Sequence, residues 1–137
     1  MNKVREIIDD VKLPSFIEEI DSIRKVLKDA DIDFTFENKE LAQVLSPTKQ
    51  SMLVMITREA INNVIKHAHA TEVKGELEVH EHQIILKIKD NGVGIENENA
   101  SNLKSIKKRV DYLNGKLIVQ SNNGTLIIVE IPRGDLL

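Results

Sequence analysis

The sequence predicts an α/β domain built as a two-layer sandwich. A mixed five-stranded sheet carries about three helices on one face, with a short additional helix at the N-terminus. Three observations lead there. Apolar residues recur with helical spacing in some stretches and with period two in others. The two kinds interleave in the order helix, helix, strand, helix, strand, strand, helix, strand, strand. The chain has 137 residues, one ordinary domain, and can bury about two-thirds of its unfolded surface against such a sheet.

Each element has its own signal. Over residues 1–12, Val4, Ile7, Ile8 and Val11 share one helix face, and Leu13-Pro14 interrupts it. Ser15 and Glu18 then form a Ser-x-x-Glu capping box. Phe16, Ile20, Ile23, Val26 and Leu27 give the following helix an apolar face that ends near Ala30. Ile32, Phe34 and Phe36 alternate with polar neighbours, as in a half-buried strand. Residues 38–45 connect to Ser46-Pro47, the N-cap and first residue of a long helix over about residues 48–68.

Val73, Gly75, Leu77 and Val79 keep period two, as do Ile84, Leu86 and Ile88, with Glu81-His82 in a short turn between them. Residues 90–100 are rich in glycine, asparagine and glutamate and read as a loop. Residues 103–113 read as a helix stopped by Asn114-Gly115. Residues 117–120 and 125–131 form a hairpin around Asn122-Asn123-Gly124, and Pro132 ends the last strand.

Composition excludes several function classes. With 41% hydrophobic and 30% charged residues, the chain is globular, not disordered. It has no run of ~18 apolar residues that would span a membrane, and its N-terminus does not read as a signal peptide. Cysteine is absent, which removes disulfides, thiolate nucleophiles and cysteine zinc sites and fits a reducing interior. A net charge of −3 and 3% aromatic residues argue against a nucleic-acid surface. Of His67, His69, His80 and His82, the last two flank Glu81 near a turn, and no carboxylate spacing around the four resembles a known zinc site.

Polar residues on apolar faces carry the most information. On the helix over residues 48–68, Leu53, Ile56, Ala60 and Val64 define an inward arc. Asn63 and His67 fall inside it, and Glu59 lies on its edge, one turn from Asn63. A buried amide or carboxylate is costly without partners, so these are either satisfied core groups or parts of a site. Asp90 continues the phase of Ile84, Leu86 and Ile88, which puts an acid at the end of a core-facing row. Gly92 and Gly94 follow and let the backbone turn sharply and approach a ligand. Taken singly, this run and Asn123-Gly124-Thr125 mark turns.

In combination they are more specific. Glu59-x-x-x-Asn63 on a helix, Asp90-x-Gly92-x-Gly94 after a strand, and Gly124-Thr125 before the last strand follow the order of the Bergerat ATP-binding fold. The chain resembles the catalytic and ATP-binding domain of a sensor histidine kinase, above all the NarL-partner, DesK-like subgroup. The asparagine box of that subgroup reads Glu-Ala-x-x-Asn-x-x-Lys-His; here it is Glu59-Ala60-Ile61-Asn62-Asn63-Val64-Ile65-Lys66-His67. The resemblance runs from Val4 to Pro132.

The resemblance implies residues 1–13 as the end of a dimerisation or linker helix, 14–132 as the ATP-binding catalytic domain, and 133–137 as a tail. It implies ATP or ADP and Mg²⁺ as cofactors. Asp90 would accept a hydrogen bond from the adenine amino group, supported by Thr125, while Gly92, Gly94 and Gly124 let the chain pass close to the nucleotide. Asn63 would hold Mg²⁺, a hard ion that takes amide oxygen and keeps several waters. Glu59 would be the polarising or general-base residue, with Lys66 and His67 near the phosphates and Asn102 and Leu103 at the lid.

The reaction implied is transfer of the γ-phosphoryl group of ATP to a histidine on a separate dimerisation domain, followed by signalling to a response regulator. None of the four histidines here sits on such a domain. The chain therefore reads as a fragment that does not autophosphorylate alone. Its expected location is cytoplasmic, within a membrane-anchored protein, without direct contact with membrane or nucleic acid.

The lid departs from the family. Its usual motif is Gly-x-Gly-Leu-x-x-Met-x-x-Arg; Leu103, Ile106 and Arg109 keep their places, but Ala100 and Asn102 replace the glycines. Glycines allow a lid backbone to curl and present its N–H groups to phosphates. Two other readings within the fold are an anti-sigma-factor-type serine kinase and a degenerate nucleotide-binding interaction module. Outside it stands a plain α/β domain that binds a protein through the Val4-Ile8-Val11 face.

Overall fold

A computed structural model describes residues 13–93 and 101–134, the side chains of residues 67, 68, 101 and 102 excepted. The helix expected over residues 1–12 and the glycine at 94 lie outside the described residues.

Helix α1 (Phe16–Asp29) starts at the expected capping box: Ser15 Oγ accepts the Glu18 N–H, and Glu18 Oε1 accepts the Ser15 N–H. It ends where Asp31 takes a left-handed φ of 60°. There the Ile32 N–H reaches the Leu27 carbonyl and the Asp31 N–H reaches that of Lys28, which satisfies the last turn. Strand β1 (Asp33–Glu37) follows, and the expected connection contains a 3₁₀ turn, Lys39–Val44. Helix α2 (Pro47–Asn63) begins as read, with Ser46 Oγ accepting the Lys49 N–H and proline at the first position.

The long helix expected over residues 48–68 is not α-helical throughout. The α-helix ends at Asn63, and Val64–Ala68 form a π-helical turn closed by His69 in a left-handed conformation. A π turn inserts a residue and changes the phase of the faces beyond it, a shift that apolar periodicity alone does not reveal. Strands β2 (Glu72–Val79) and β3 (Gln83–Asp90), helix α3 (Ser101–Tyr112), and strands β4 (Lys116–Ser121) and β5 (Thr125–Pro132) complete the order. Helix α3 stops at Asn114-Gly115 as read: Asn114 takes the left-handed φ of 58°, and the Gly115 N–H bonds the Val110 carbonyl. A Cβ at Gly115 would sit 2.6 Å from the Glu130 carbonyl, so close packing on β5 requires glycine there.

The sheet has the order β1-β2-β3-β5-β4. Strands β1 and β2 pair in parallel across the α2 connection, and the other pairs are antiparallel. The three helices pack on one face through Phe16, Ile20 and Leu27 of α1, Leu53, Ile56 and Ala60 of α2, and Leu103, Ile106 and Val110 of α3. Val73, Leu77, Ile84, Leu86, Ile88, Ile127, Val129 and Ile131 meet them from the sheet. Phe36 lies over its register partner Gly75, whose missing side chain leaves room for the ring.

One charged pair sits among these layers. Glu19 is only 5% exposed and accepts Nε and Nη2 of Arg58, each at 2.8 Å, joining α1 to α2. The hydrogen bond to Glu19 raises the Arg58 guanidinium above its ordinary value.

Candidate functional site

The C-terminal end of α2 and the end of β3 lie at the same end of the sheet, and local hydrogen bonds show why. From Asn63 the π turn leads to Thr71 and then to Glu72, the first residue of β2. The N–H groups of both donate to Asn91 Oδ1 at 2.9 Å, while Asn91 Nδ2 donates to Thr71 Oγ1. The Asn91 N–H in turn reaches the Glu72 carbonyl. Asn91 thus pins the chain just beyond Asp90 to the start of the neighbouring strand.

Period two forces Asp90 inward, as read: it is 5% exposed. Its Oδ1 accepts the Gly92 N–H at 2.8 Å, which closes the turn after the strand. An ionised carboxylate has capacity for further donors. Thr125, 4% exposed, is the cross-strand partner of Asp90. Gly124 precedes it with φ of 108°, and a Cβ there would collide with the Asp90 carbonyl oxygen. The hairpin can therefore close over the end of β3 only with glycine at 124.

On α2, Asn63 is buried and Glu59 half-buried. Glu59 is tied to α3: its Oε1 accepts Ser105 Oγ at 2.7 Å, Arg109 Nη2 at 3.1 Å and Arg109 Nε at 3.3 Å. Its Oε2 is buried and has no hydrogen-bond partner among the described residues. Arg109 Nη1 also contacts Met55 Sδ, one turn before Glu59.

The other expected residues differ in exposure. Lys66 is exposed and Gly92 half-buried. Leu103 is 4% exposed and packs in the core. The glycine at 94 and the side chains of His67 and Asn102 lie outside the described residues. Asn91, Ser105 and the Glu59–Arg109 contact are site features for which sequence reasoning assigned no role. Ser105 and Arg109 are one helical turn apart, as are Met55 and Glu59, and two such facing pairs are the only sequence signal for the contact.

The donor set suits a hard divalent ion bound chiefly through phosphates: an amide oxygen on Asn63 and, one turn away, a carboxylate with a buried oxygen that has no hydrogen bond among the described residues. Among the described residues no cluster of three His, Cys, Asp or Glu side chains could hold a metal by itself. A Mg²⁺ that arrives with a nucleotide needs no such cluster.

Residues 48–135 match the sequence model of the histidine kinase-, DNA gyrase B- and HSP90-like ATPases. The chain belongs to this ATPase family. More particularly, its curated relatives are sensor histidine kinases: it is 30% identical over 134 residues to sensor histidine kinase YvfT and 27% over 136 residues to DesK, both of Bacillus subtilis strain 168. Each alignment covers 96% of this chain but only 36% and 37% of the relative, so the chain spans little more than a third of their length. Solved structures share the fold at lower identity. The catalytic domain of histidine kinase ThkA superposes with a TM-score of 0.65 at 19% identity, over 88% of this chain and 94% of that one. Acinetobacter baumannii AdeS gives 0.68 at 18%, over 88% and 66%. The mixed five-stranded sheet with helices on one face is thus that of histidine kinase catalytic domains. No helix among the described residues is long and apolar enough to cross a membrane.

Proposed function

We propose that this domain binds ATP with Mg²⁺ and transfers the γ-phosphoryl group to a histidine on a dimerisation domain supplied by the rest of a sensor kinase. The observation that carries this is the buried pairing of Asp90 with Thr125, at the sheet end where α2 delivers Asn63. A buried carboxylate beside a hydroxyl, with glycines on both approaching chains, has the chemistry to accept the amino group of adenine and reject a purine that offers an acceptor there. Asn63 would hold Mg²⁺, which would supply positive charge to offset that of the phosphates. Glu59 acts as the polarising or general-base residue. Lys66, exposed on the π turn, offsets phosphate charge, with His67 nearby; Asn102 and Leu103 begin the lid helix.

In the transfer, a histidine nitrogen forms the bond to the γ-phosphorus as the bond to the bridging oxygen breaks and ADP leaves. Most of the work is positioning and charge stabilisation. Residues 1–13 would continue a dimerisation or linker helix, 14–132 form the catalytic unit and 133–137 a tail. The phosphoryl group would pass on to a response regulator in the cytoplasm. Calorimetric titration with ADP and ATP, with and without Mg²⁺, tests the reading. Saturable binding is expected, weakened about 10–100-fold by Asp90→Asn, the loss of a charge-assisted hydrogen bond. Asn63→Ala should remove most of the Mg²⁺ dependence. Affinity within a factor of two for Asp90→Asn overturns the adenine role.

A further inference from the structure

Glu59 does not stand free at the edge of α2. Three donors from α3, the Ser105 hydroxyl and two nitrogens of Arg109, converge on its Oε1. No described residue bonds Oε2. The two oxygens of one carboxylate are therefore unequal: one is bound by α3, and the other is buried without a hydrogen bond among the described residues. The guanidinium is itself fixed, since Nη1 lies 3.1 Å from Met55 Sδ while Nε and Nη2 face the carboxylate. A planar fork held on two sides sets an orientation that a flexible point charge would not.

We propose that Arg109, assisted by Ser105, is a positioning residue for phosphoryl transfer. It clamps Oε1 of Glu59 so that Oε2 is the atom presented to the reaction, and it makes the stance of that carboxylate depend on helix α3. The inference rests on Glu59 being the polarising or general-base residue. Helix α3 carries Leu103, Ile106 and Arg109 of the motif resembling a nucleotide lid, so the clamp gives that helix a direct mechanical connection to the reacting centre. Arg109 touches neither nucleotide nor acceptor in this account and acts only through Glu59. The cost of misplacing a catalytic group by an ångström is on the order of 100-fold in rate.

The test uses the full chain, with a purified histidine-bearing dimerisation domain added as acceptor. Arg109→Ala should lower kcat about 10–100-fold while the calorimetric Kd for Mg·ADP stays within threefold. Arg109→Lys should recover part of the rate, because it restores charge without the fork. On a Glu59→Gln background, Arg109→Ala should cost less than a further twofold, since both changes disable one unit. A readout independent of turnover runs alongside in the nucleotide-free protein: the Tm loss of the double variant should match that of the worse single variant and not the sum.

Wild-type kcat in Arg109→Ala, or rate losses that multiply in the double variant, overturns the clamp. So do additive Tm losses. If Glu59→Gln keeps wild-type turnover, the role of Glu59 fails and the clamp with it. If Asp90→Asn keeps wild-type affinity, the nucleotide reading fails on its own, whatever the Arg109 cycle gives.

Discussion

Asp90 and Thr125 face each other across the β3–β5 ladder, each about 5% exposed or less, although both are polar. Every other register pair of β3 and β5 on the helix-facing side is aliphatic: Ile84 with Ile131, Leu86 with Val129, Ile88 with Ile127. The core row of two central strands therefore ends in an acid and a hydroxyl. Alternation alone would have put an apolar pair there, and burying two polar groups is tolerated only where they have partners.

The pair depends on Gly124. Gly124→Ala introduces both a strained φ and a collision with the Asp90 carbonyl. The expected loss is roughly 1–3 kcal/mol of stability, read as a lower urea midpoint. Nucleotide affinity should fall along with it, because the hairpin must retreat from Asp90.

The Glu19–Arg58 fork is the only ion pair described above that joins α1 to α2. Glu19→Ala strands a guanidinium that is still partly solvated, its side chain being 43% exposed. The loss should be roughly 1–3 kcal/mol, below the cost of breaking a fully buried pair. Its folded value being raised, the Arg58 contribution is fully present below the ordinary arginine range and fades only as pH rises through that raised value. Urea midpoints of the wild type and of Glu19→Ala should accordingly differ by the same amount at pH 6 and pH 9.

Acid should act elsewhere. Hydrogen bonds from His80 and then Lys87 hold the Glu78 carboxyl below its ordinary value. A depressed carboxylate contributes stability above its unfolded value of 4.5, and that contribution is lost as pH falls through the folded value. The group lies at the surface, so the effect is roughly a few tenths of a kcal/mol. Glu78→Gln should lose less stability than wild type between pH 6 and pH 3, and high salt should shrink the difference.

Thr57 is 1% exposed, and its hydroxyl has no partner among the described residues. Thr57→Val keeps the shape and removes the unsatisfied group. An increase of about 1 kcal/mol in unfolding free energy is expected. A decrease of that size would mean the hydroxyl is satisfied in solution.

Much of this was legible in the chain. The capping box at Ser15, the proline start at Pro47 and the cap at Asn114-Gly115 are local chemistry, and each formed as read. Asp90 was found because a period of two leaves no choice of face. The π turn after Asn63 was not legible, since one inserted residue leaves the apolar count almost unchanged while rotating Lys66 and its neighbours. Nor was the clamp on Glu59. Its partners lie 46 and 50 residues away, and a single serine and arginine on a helix look like ordinary surface until the partner helix is in place. Asn91 was equally hidden, because it looks like any loop asparagine until Thr71 and Glu72 are beside it.

The ring of Phe36 fills the space above Gly75 that a side chain would occupy. Neither position can then drift independently across a lineage. A methyl at 75 demands a slimmer group at 36, and a slimmer group at 36 opens a gap that favours a methyl at 75. Homologues should therefore carry the two as linked alleles, exchanging bulk from one side of the β1–β2 seam to the other while the total stays constant.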